Sequence, residues 1–290
     1  MIPSAFQYVA ARTVDEAVAL LSQHGDEAKL LAGGQSLIPL LKLRLASPSI
    51  LIDIGRIPGL DGTSRQNGMI TIGARTTHSA IEASASLREL CPLLPEAAAV
   101  IGDRQVRNRG TIGGNLSHAD PASDLPAAIL ALGGELVATS RSGQRTIAAD
   151  DFFVDLVTTA LRPDELLTQV RVPARGARTG TAYVKFPHPA SGYAIVGVAA
   201  VLALGEDGRC REARIAITGA GTKATRARAV EQGLVGQELT EPIVAQAAER
   251  AADGLDLMGD IHASEEYRAH LCRVSTRRAV LTAAQRARGA

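Results

Sequence analysis

Eight residues, Pro173-Ala174-Arg175-Gly176-Ala177-Arg178-Thr179-Gly180, divide this 290-residue chain into two stretches of different hydrophobic texture. Before them, short apolar runs alternate with amphipathic segments. Thr13-Val14-Asp15-Glu16 has capping-box form, and Val14, Ala17, Val18 and Leu21 follow at helical spacing, which predicts a helix over Val14–Gln23. Lys29–Ala32 reads as a buried strand running into Gly33-Gly34. Leu37–Leu45 then reads as a helix and Ile50–Ile54 as a strand, so the chain opens in β–α units. Met69–Gly73 is a further strand. A helix begins at Thr77 or Ser79, and another, begun by Pro92 or Pro95, covers Glu96–Ile101. The stretch from Gly102 to Asp124 shows no period, and a loop of that length inside a compact domain points to function. Leu125–Leu132 is helical, Glu135–Ser140 and Arg145–Ala148 form a hairpin, and Leu166–Val172 is a strand.

Beyond the eight residues the pattern lengthens. Thr181–Phe186, Ala194–Leu204 and Ala213–Gly219 read as three antiparallel strands. Helices are predicted over Arg226–Leu234, Glu241–Asp253 and Ser264–Ala287. The fold class is therefore α+β, with an α/β N-terminal part and a second part made of a small sheet and a helical cluster.

Composition removes several classes of function. Thirty-one Lys and Arg against thirty Asp and Glu leave a net charge of +1, too balanced to hold nucleic acid or an acidic membrane surface. The longest apolar run, Ala194–Leu204, is 11 residues, whereas a membrane span needs about 20. Met1-Ile2-Pro3-Ser4 opens no basic-then-apolar leader, so the expected compartment is the cytoplasm. Cys91, Cys210 and Cys272 form no C-x-x-C, which argues against an iron–sulfur cluster held by this chain alone. The six His show no paired metal-ligand spacing. Trp is absent and aromatics are 3%, so a flat ligand must be held mainly by backbone and aliphatic groups.

Three constellations remain. Ala32-Gly33-Gly34-Gln35-Ser36 lies at a strand-to-helix junction, where glycine lets N–H groups approach an anion and a helix N-terminus faces it; a plain tight turn is the alternative. Thr111-Ile112-Gly113-Gly114-Asn115 repeats that logic within the long aperiodic stretch, and two such loops suit the two phosphates of a pyrophosphate. Neither matches G-x-G-x-x-G or G-x-x-x-x-G-K-[ST], which disfavours a Rossmann dinucleotide fold and a P-loop NTPase. Asp120 and Asp124 can accept from ribose hydroxyls, or Ser123 or Asp124 can cap the helix that follows. Arg104, Arg107 and Arg109 can neutralise phosphate, face a partner, or be solvated. The third constellation runs from Lys185 to Tyr193 through two Pro and a Gly; Tyr193 can stack on a flat ligand, or the turn can simply close the core edge.

Taken together, Ala-Gly-Gly-Gln-Ser at 32–36, Arg-Asn-Arg-Gly-Thr-Ile-Gly-Gly-Asn at 107–115 and the Lys185–Tyr193 turn resemble the FAD-binding medium subunits of the molybdenum hydroxylases. That family includes aerobic carbon monoxide dehydrogenase and the flavin domain of xanthine dehydrogenase. The resemblance covers essentially the whole chain. It implies a PCMH-type FAD-binding domain over residues 1–177, built from two small α/β subdomains. A C-terminal domain over residues 178–290 follows, with a three-stranded antiparallel sheet and helices. It also implies site residues. Ala32, Gly33, Gly34, Gln35, Ser36, Thr111, Ile112, Gly113, Gly114 and Asn115 bind the FAD pyrophosphate. Lys29, Leu30 and Leu31 line the adenosine side, and Asp124 holds a ribitol or ribose hydroxyl. Ile101 and Gly102 pack beside the flavin. Leu161 and Lys185 lie near the isoalloxazine, and Tyr193 covers one of its faces. Position 35 is Gln where carbon monoxide dehydrogenases often carry His, which leaves the substrate open.

The implied activity is electron relay. A large partner subunit carries the molybdenum cofactor, and a small one carries two [2Fe–2S] clusters. FAD on this chain passes electrons to an external acceptor, and the assembly is expected to be a dimer of heterotrimers. No general base or metal site is required of this chain. The alternatives are a self-sufficient flavin oxidoreductase of the same fold and a non-catalytic nucleotide-binding module.

Overall fold

The computed structural model describes residues 2–289. Met1 and Ala290, the outer ends of the two expected domains, lie outside the described residues. The N-terminal subdomain contains β1 (Gln7–Ala10), α1 (Val14–His24), β2 (Ala28–Leu31), α2 (Leu37–Lys42) and β3 (Ile50–Asp53). Its strands form a parallel sheet in the order β1-β3-β2, with Gln7 and Ala28 both in register with Ile50. Thr13 caps α1 by accepting from the Glu16 N–H. Ala17, Val18 and Leu21 of α1 bury against Ile50 and Ile52.

The next subdomain centres on a five-stranded antiparallel sheet, β4 (Thr63–Gln66), β5 (Met69–Gly73), β6 (Glu135–Ser140), β7 (Gly143–Ala148) and β10 (Leu166–Pro173), in the order β4-β5-β10-β6-β7. Between β5 and β6 stand α3 (His78–Ala83), α4 (Ala85–Leu90), α5 (Leu93–Ala99), α6 (Arg104–Arg109), α7 (Ile112–His118) and α8 (Asp124–Leu132). After β7 come α9 (Ala149–Phe152) and the small hairpin β8 (Phe153–Asp155) and β9 (Thr158–Thr159). The expected loop from Gly102 to Asp124 is corrected here: it contains α6 and α7. Each is under two turns long and interrupted or flanked by glycine, too short to show a 3.6-residue period. Caps start them instead, with Asp103 accepting from the Val106 N–H and Thr111 from the Gly114 N–H.

The C-terminal part consists of β11 (Thr179–Pro187), β12 (Ala194–Leu204), β13 (Cys210–Thr218), β14 (Thr225–Arg226), α10 (Arg228–Leu234), α11 (Glu241–Ala248) and α12 (Glu265–Arg288). Its antiparallel sheet has four strands rather than the expected three, because Thr225 and Arg226 pair with Ile217 and Ala216. A two-residue strand leaves no alternation to read. Helix α12 packs across β11 and β12.

Helix α8 joins the two parts. All nine of its residues are buried, as expected for a helix apolar on every side. It packs against α5 on one flank and against β12 and β13 on the other. Ala199 and Ala216 of the C-terminal sheet share one core with Leu125, Ala128 and Ile129. Arg214 of β13 donates to the carbonyls of Leu130 and Ala131 at 2.9 and 3.1 Å, satisfying the last turn of the α8 backbone and placing a cation at the negative end of its dipole. Asp124 at the start of α8 is therefore fixed from both domains.

Candidate functional site

The first glycine loop lies between β2 and α2. Among the described residues, none accepts from the N–H groups of Gly33, Gly34, Gln35, Ser36 or Leu37. These are the orphan donors expected at a helix start, and the Ser36 side chain makes no cap bond to relieve them. Gly34 has φ +75°, which turns the chain so that they follow one another. Five consecutive donors on a half-buried loop thus remain without a protein acceptor, the kind of backbone an anion can use.

This loop abuts the second. A Cβ on Gly33 would collide with the Arg109 carbonyl oxygen and come within 3.0 Å of the Gly110 Cα. Backbone thus meets backbone, which only glycine permits. In the second loop the donors are used differently. The Ile112 N–H donates to Thr76 O at 3.0 Å, and the Gly113 N–H to Ala74 O at 2.7 Å. A Cβ on Gly113 would lie 2.5 Å from that of Ala74, so this glycine serves close packing against the end of β5. Gly114 is exposed, with only Thr111 Oγ1 near its Cβ position. Asn115 Nδ2 donates to Ser123 Oγ at 3.0 Å, which leaves Asn115 Oδ1 buried without a partner. An unpaired buried acceptor suits a ligand hydroxyl.

From Asn115 the site continues through Ser123 to Asp124. Asp124 Oδ1 accepts from the Tyr183 hydroxyl at 2.6 Å, and Oδ2 from Lys185 Nζ at 2.8 Å. Burial pushes the Asp124 carboxyl above its usual range, with Lys185 and Tyr183 opposing the shift. Burial, followed by the charge and hydrogen bond of Asp124, holds the Tyr183 phenol well above the ordinary tyrosine range. Lys185 Nζ also donates to Val100 O at 2.8 Å, which places β11 against the Ile101-Gly102 turn. Gly102 has φ +45°, and its Cα lies 3.7 Å from where a Gly192 Cβ would stand. The Pro187–Tyr193 turn therefore reaches the same point. Tyr193 is 45% exposed beside it. Burial, then the charges of Asp120 and Asp124, raise its phenol.

Leu161 follows β9, which packs against α7, and is half-buried against the central core. Lys29 and Leu30 lie on β2, an edge strand of the first sheet, with Lys29 exposed and Leu30 packed against that subdomain's core. Leu31 meets Gly34, its Cδ1 being 3.3 Å from that residue's Cβ position. Of the basic cluster, Arg107 pairs with Glu82 at 2.7 Å and donates to Ile101 O and Gly102 O, so it clamps that turn. Ser123 stands at the N-cap of α8 but forms no cap bond, its hydroxyl being engaged with Asn115. Sequence reading did not single out Tyr183 or His78. Tyr183 lies two residues before Lys185 on one face of β11, a period-2 signal that was available. His78 lies 3% exposed beneath Gly110, and nothing in its own segment marks it.

A family model described as the FAD binding domain in molybdopterin dehydrogenase matches residues 4–175. The chain belongs to this family. A second model, the CO dehydrogenase flavoprotein C-terminal domain, matches residues 181–283 of the same flavin subunit. The subunit is 41% identical over 288 residues to the 6-hydroxypseudooxynicotine dehydrogenase complex subunit alpha of Paenarthrobacter nicotinovorans, covering 99% of this chain and 97% of that one. It is 39% identical over 280 residues to the carbon monoxide dehydrogenase medium chain of Hydrogenophaga pseudoflava, with 97% of each covered. A solved structure of carbon monoxide dehydrogenase from Hydrogenophaga pseudoflava, lacking the Mo-pyranopterin moiety, superposes with TM-score 0.96 at 41% identity, covering 99% of both chains. The flavin subunit is thus an oxidoreductase component of the molybdenum hydroxylase type. Among its described residues no helix is long and apolar enough to cross a membrane, and no group of three or more His, Cys, Asp or Glu can hold a metal.

Proposed function

We propose that FAD lies along the line of residues from the first glycine loop to Tyr193. The observation that carries this is the row of unpaired N–H donors at Gly33–Leu37, set against the second loop through Gly33. The residues fit the group. Ala32 to Ser36 would take the pyrophosphate, with Thr111 and Gly114 at its other side. Lys29, Leu30 and Leu31 would flank the adenosine. Asn115 Oδ1 offers an acceptor to a hydroxyl, and Asp124 keeps lone pairs for another. Ile112 and Gly113 would serve by seating the second loop on β5. Ile101, Gly102, Leu161, Lys185 and Tyr193 would surround the ring. FAD, when bound, supplies the redox capacity, and the protein supplies binding and orientation.

In this reading the chain relays electrons from two [2Fe–2S] clusters on a small partner subunit to an external acceptor. A large subunit with the molybdenum cofactor chooses the substrate. The assembly is a dimer of heterotrimers, and the domain division falls between residues 177 and 178, close to where the two family matches part. Three buried, unpaired thiols suit a cytoplasmic complex. The test is an absorption spectrum of the desalted chain after incubation with FAD, repeated on the complex co-expressed with its partners. Flavin bands in either preparation support the reading; their absence from both overturns it.

A further inference from the structure

The Pro187–Tyr193 turn projects from the end of β11, and Pro187, Pro189, Ala190 and Ser191 are exposed, so packing does not hold its shape. One residue does. The His188 N–H donates to Tyr193 O at 2.7 Å, and His188 O accepts from the Gly192 N–H at 2.9 Å. Its ring Nδ1 accepts from the N–H groups of Ala190 and Ser191 at 3.2 and 3.1 Å, and lies 3.1 Å from Ser191 Oγ. Ser191 Oγ in turn accepts from the Tyr193 N–H at 3.4 Å. Two backbone donors on Nδ1 set the tautomer with the proton on Nε2.

The ring is itself held. It meets His262 edge to face, with centroids 4.2 Å apart and planes at 78°. The His262 N–H donates to Asp260 Oδ1 at 2.8 Å, and Asp260 Oδ2 accepts from buried Arg268 at 2.5 Å. Arg268 also donates to Ile195 O at 2.8 Å, two residues beyond Tyr193. The turn is thus closed inside by Nδ1 and braced outside by His262.

We propose that His188 is a positioning residue, which fixes the 187–193 turn through Nδ1 and so holds Tyr193 over the flavin. This rests on the reading of Tyr193 as a cover for the ring. An asparagine Oδ1 can occupy the place of Nδ1 and accept the same two donors, whereas glutamine reaches only toward Nε2 and alanine offers nothing. The experiment uses the complete complex carrying H188A, H188Q, H188N or Y193A, with two readouts. Amide exchange of residues 190–192 in H188A and H188Q is expected to rise about five- to tenfold, the effect of a lost hydrogen bond. Flavin fluorescence in both should rise toward the Y193A level as stacking is lost. H188N should keep wild-type values in both. Wild-type fluorescence in H188A and H188Q beside a bright Y193A overturns the role of His188 and leaves the cover intact. Y193A indistinguishable from wild type overturns both. H188N behaving as alanine also overturns the proposal, and H188Q decides if H188A fails to fold.

Discussion

Lys185 Nζ lies 2.8 Å from Asp124 Oδ2, and the two side chains are 5% and 4% exposed. Lys185 is on β11 and Asp124 opens α8, so this ion pair spans the proposed domain boundary. Removing one partner leaves the other charge buried. K185M is expected to cost about 3–5 kcal/mol, whereas the double variant D124L/K185M should recover most of that loss. Urea unfolding of the single and double variants measures it. Full additivity of the two single effects would show that the pair is not coupled.

The two glycine loops should respond differently to alanine. At Gly33 the new Cβ strikes the Arg109 carbonyl, so G33A is expected to lose flavin and also about 1–3 kcal/mol of stability. At Gly114, inside α7, only Thr111 Oγ1 must turn aside. The helical preference for alanine, about 1 kcal/mol, offsets that loss of a cap. G114A should therefore melt near the wild-type temperature while retaining less flavin. Thermal melts of the apo chain, set beside flavin content after desalting, separate the two cases. Normal flavin content in G114A would remove Gly114 from the site.

His78 links stability to pH. Burial, then the nearby Arg107 charge, lower its pKa from 6.5 to about 4. The unfolded chain therefore binds a proton between those values that the folded chain refuses. The contribution is full above about pH 6.5 and is lost as pH falls toward about 4, in total roughly 3 kcal/mol. H78L should flatten the pH dependence of the urea midpoint by that amount between pH 7 and 4. An unchanged slope would place the titration elsewhere.

Burial raises the thiols of Cys91 and Cys272 to about 12 and that of Cys210 to about 11. Thiolate is the reactive form, so an aromatic disulfide reagent at pH 8 should label none of the three in the native chain and all three in denaturant. Rapid native labelling of any one would reveal local opening near it.

The apolar periods of α1, β5, β12 and α12 could be read along the chain, because each is long or regular enough to bury one face or all of itself. β4 could not: Thr63-Ser64-Arg65-Gln66 is an exposed edge strand, defined only by its pairing to β5. The glycine loops were legible as a pair. Which of their donors stay free was not, since the N–H groups of Ile112 and Gly113 are taken by Thr76 and Ala74, residues far outside the motif.

By itself, the sequence determined where backbone can turn sharply, where helices start, and which stretches must be buried, because these depend on local sterics, caps and hydrophobic period. The tertiary structure alone decided what meets what. Asp124 finds Tyr183 and Lys185 about sixty positions away, and Gly33 finds the Arg109 carbonyl. It also decided which polar groups remain unpaired. Pairing over such separations follows from how α8 and the sheets pack as whole elements, and no window of neighbouring residues contains that information.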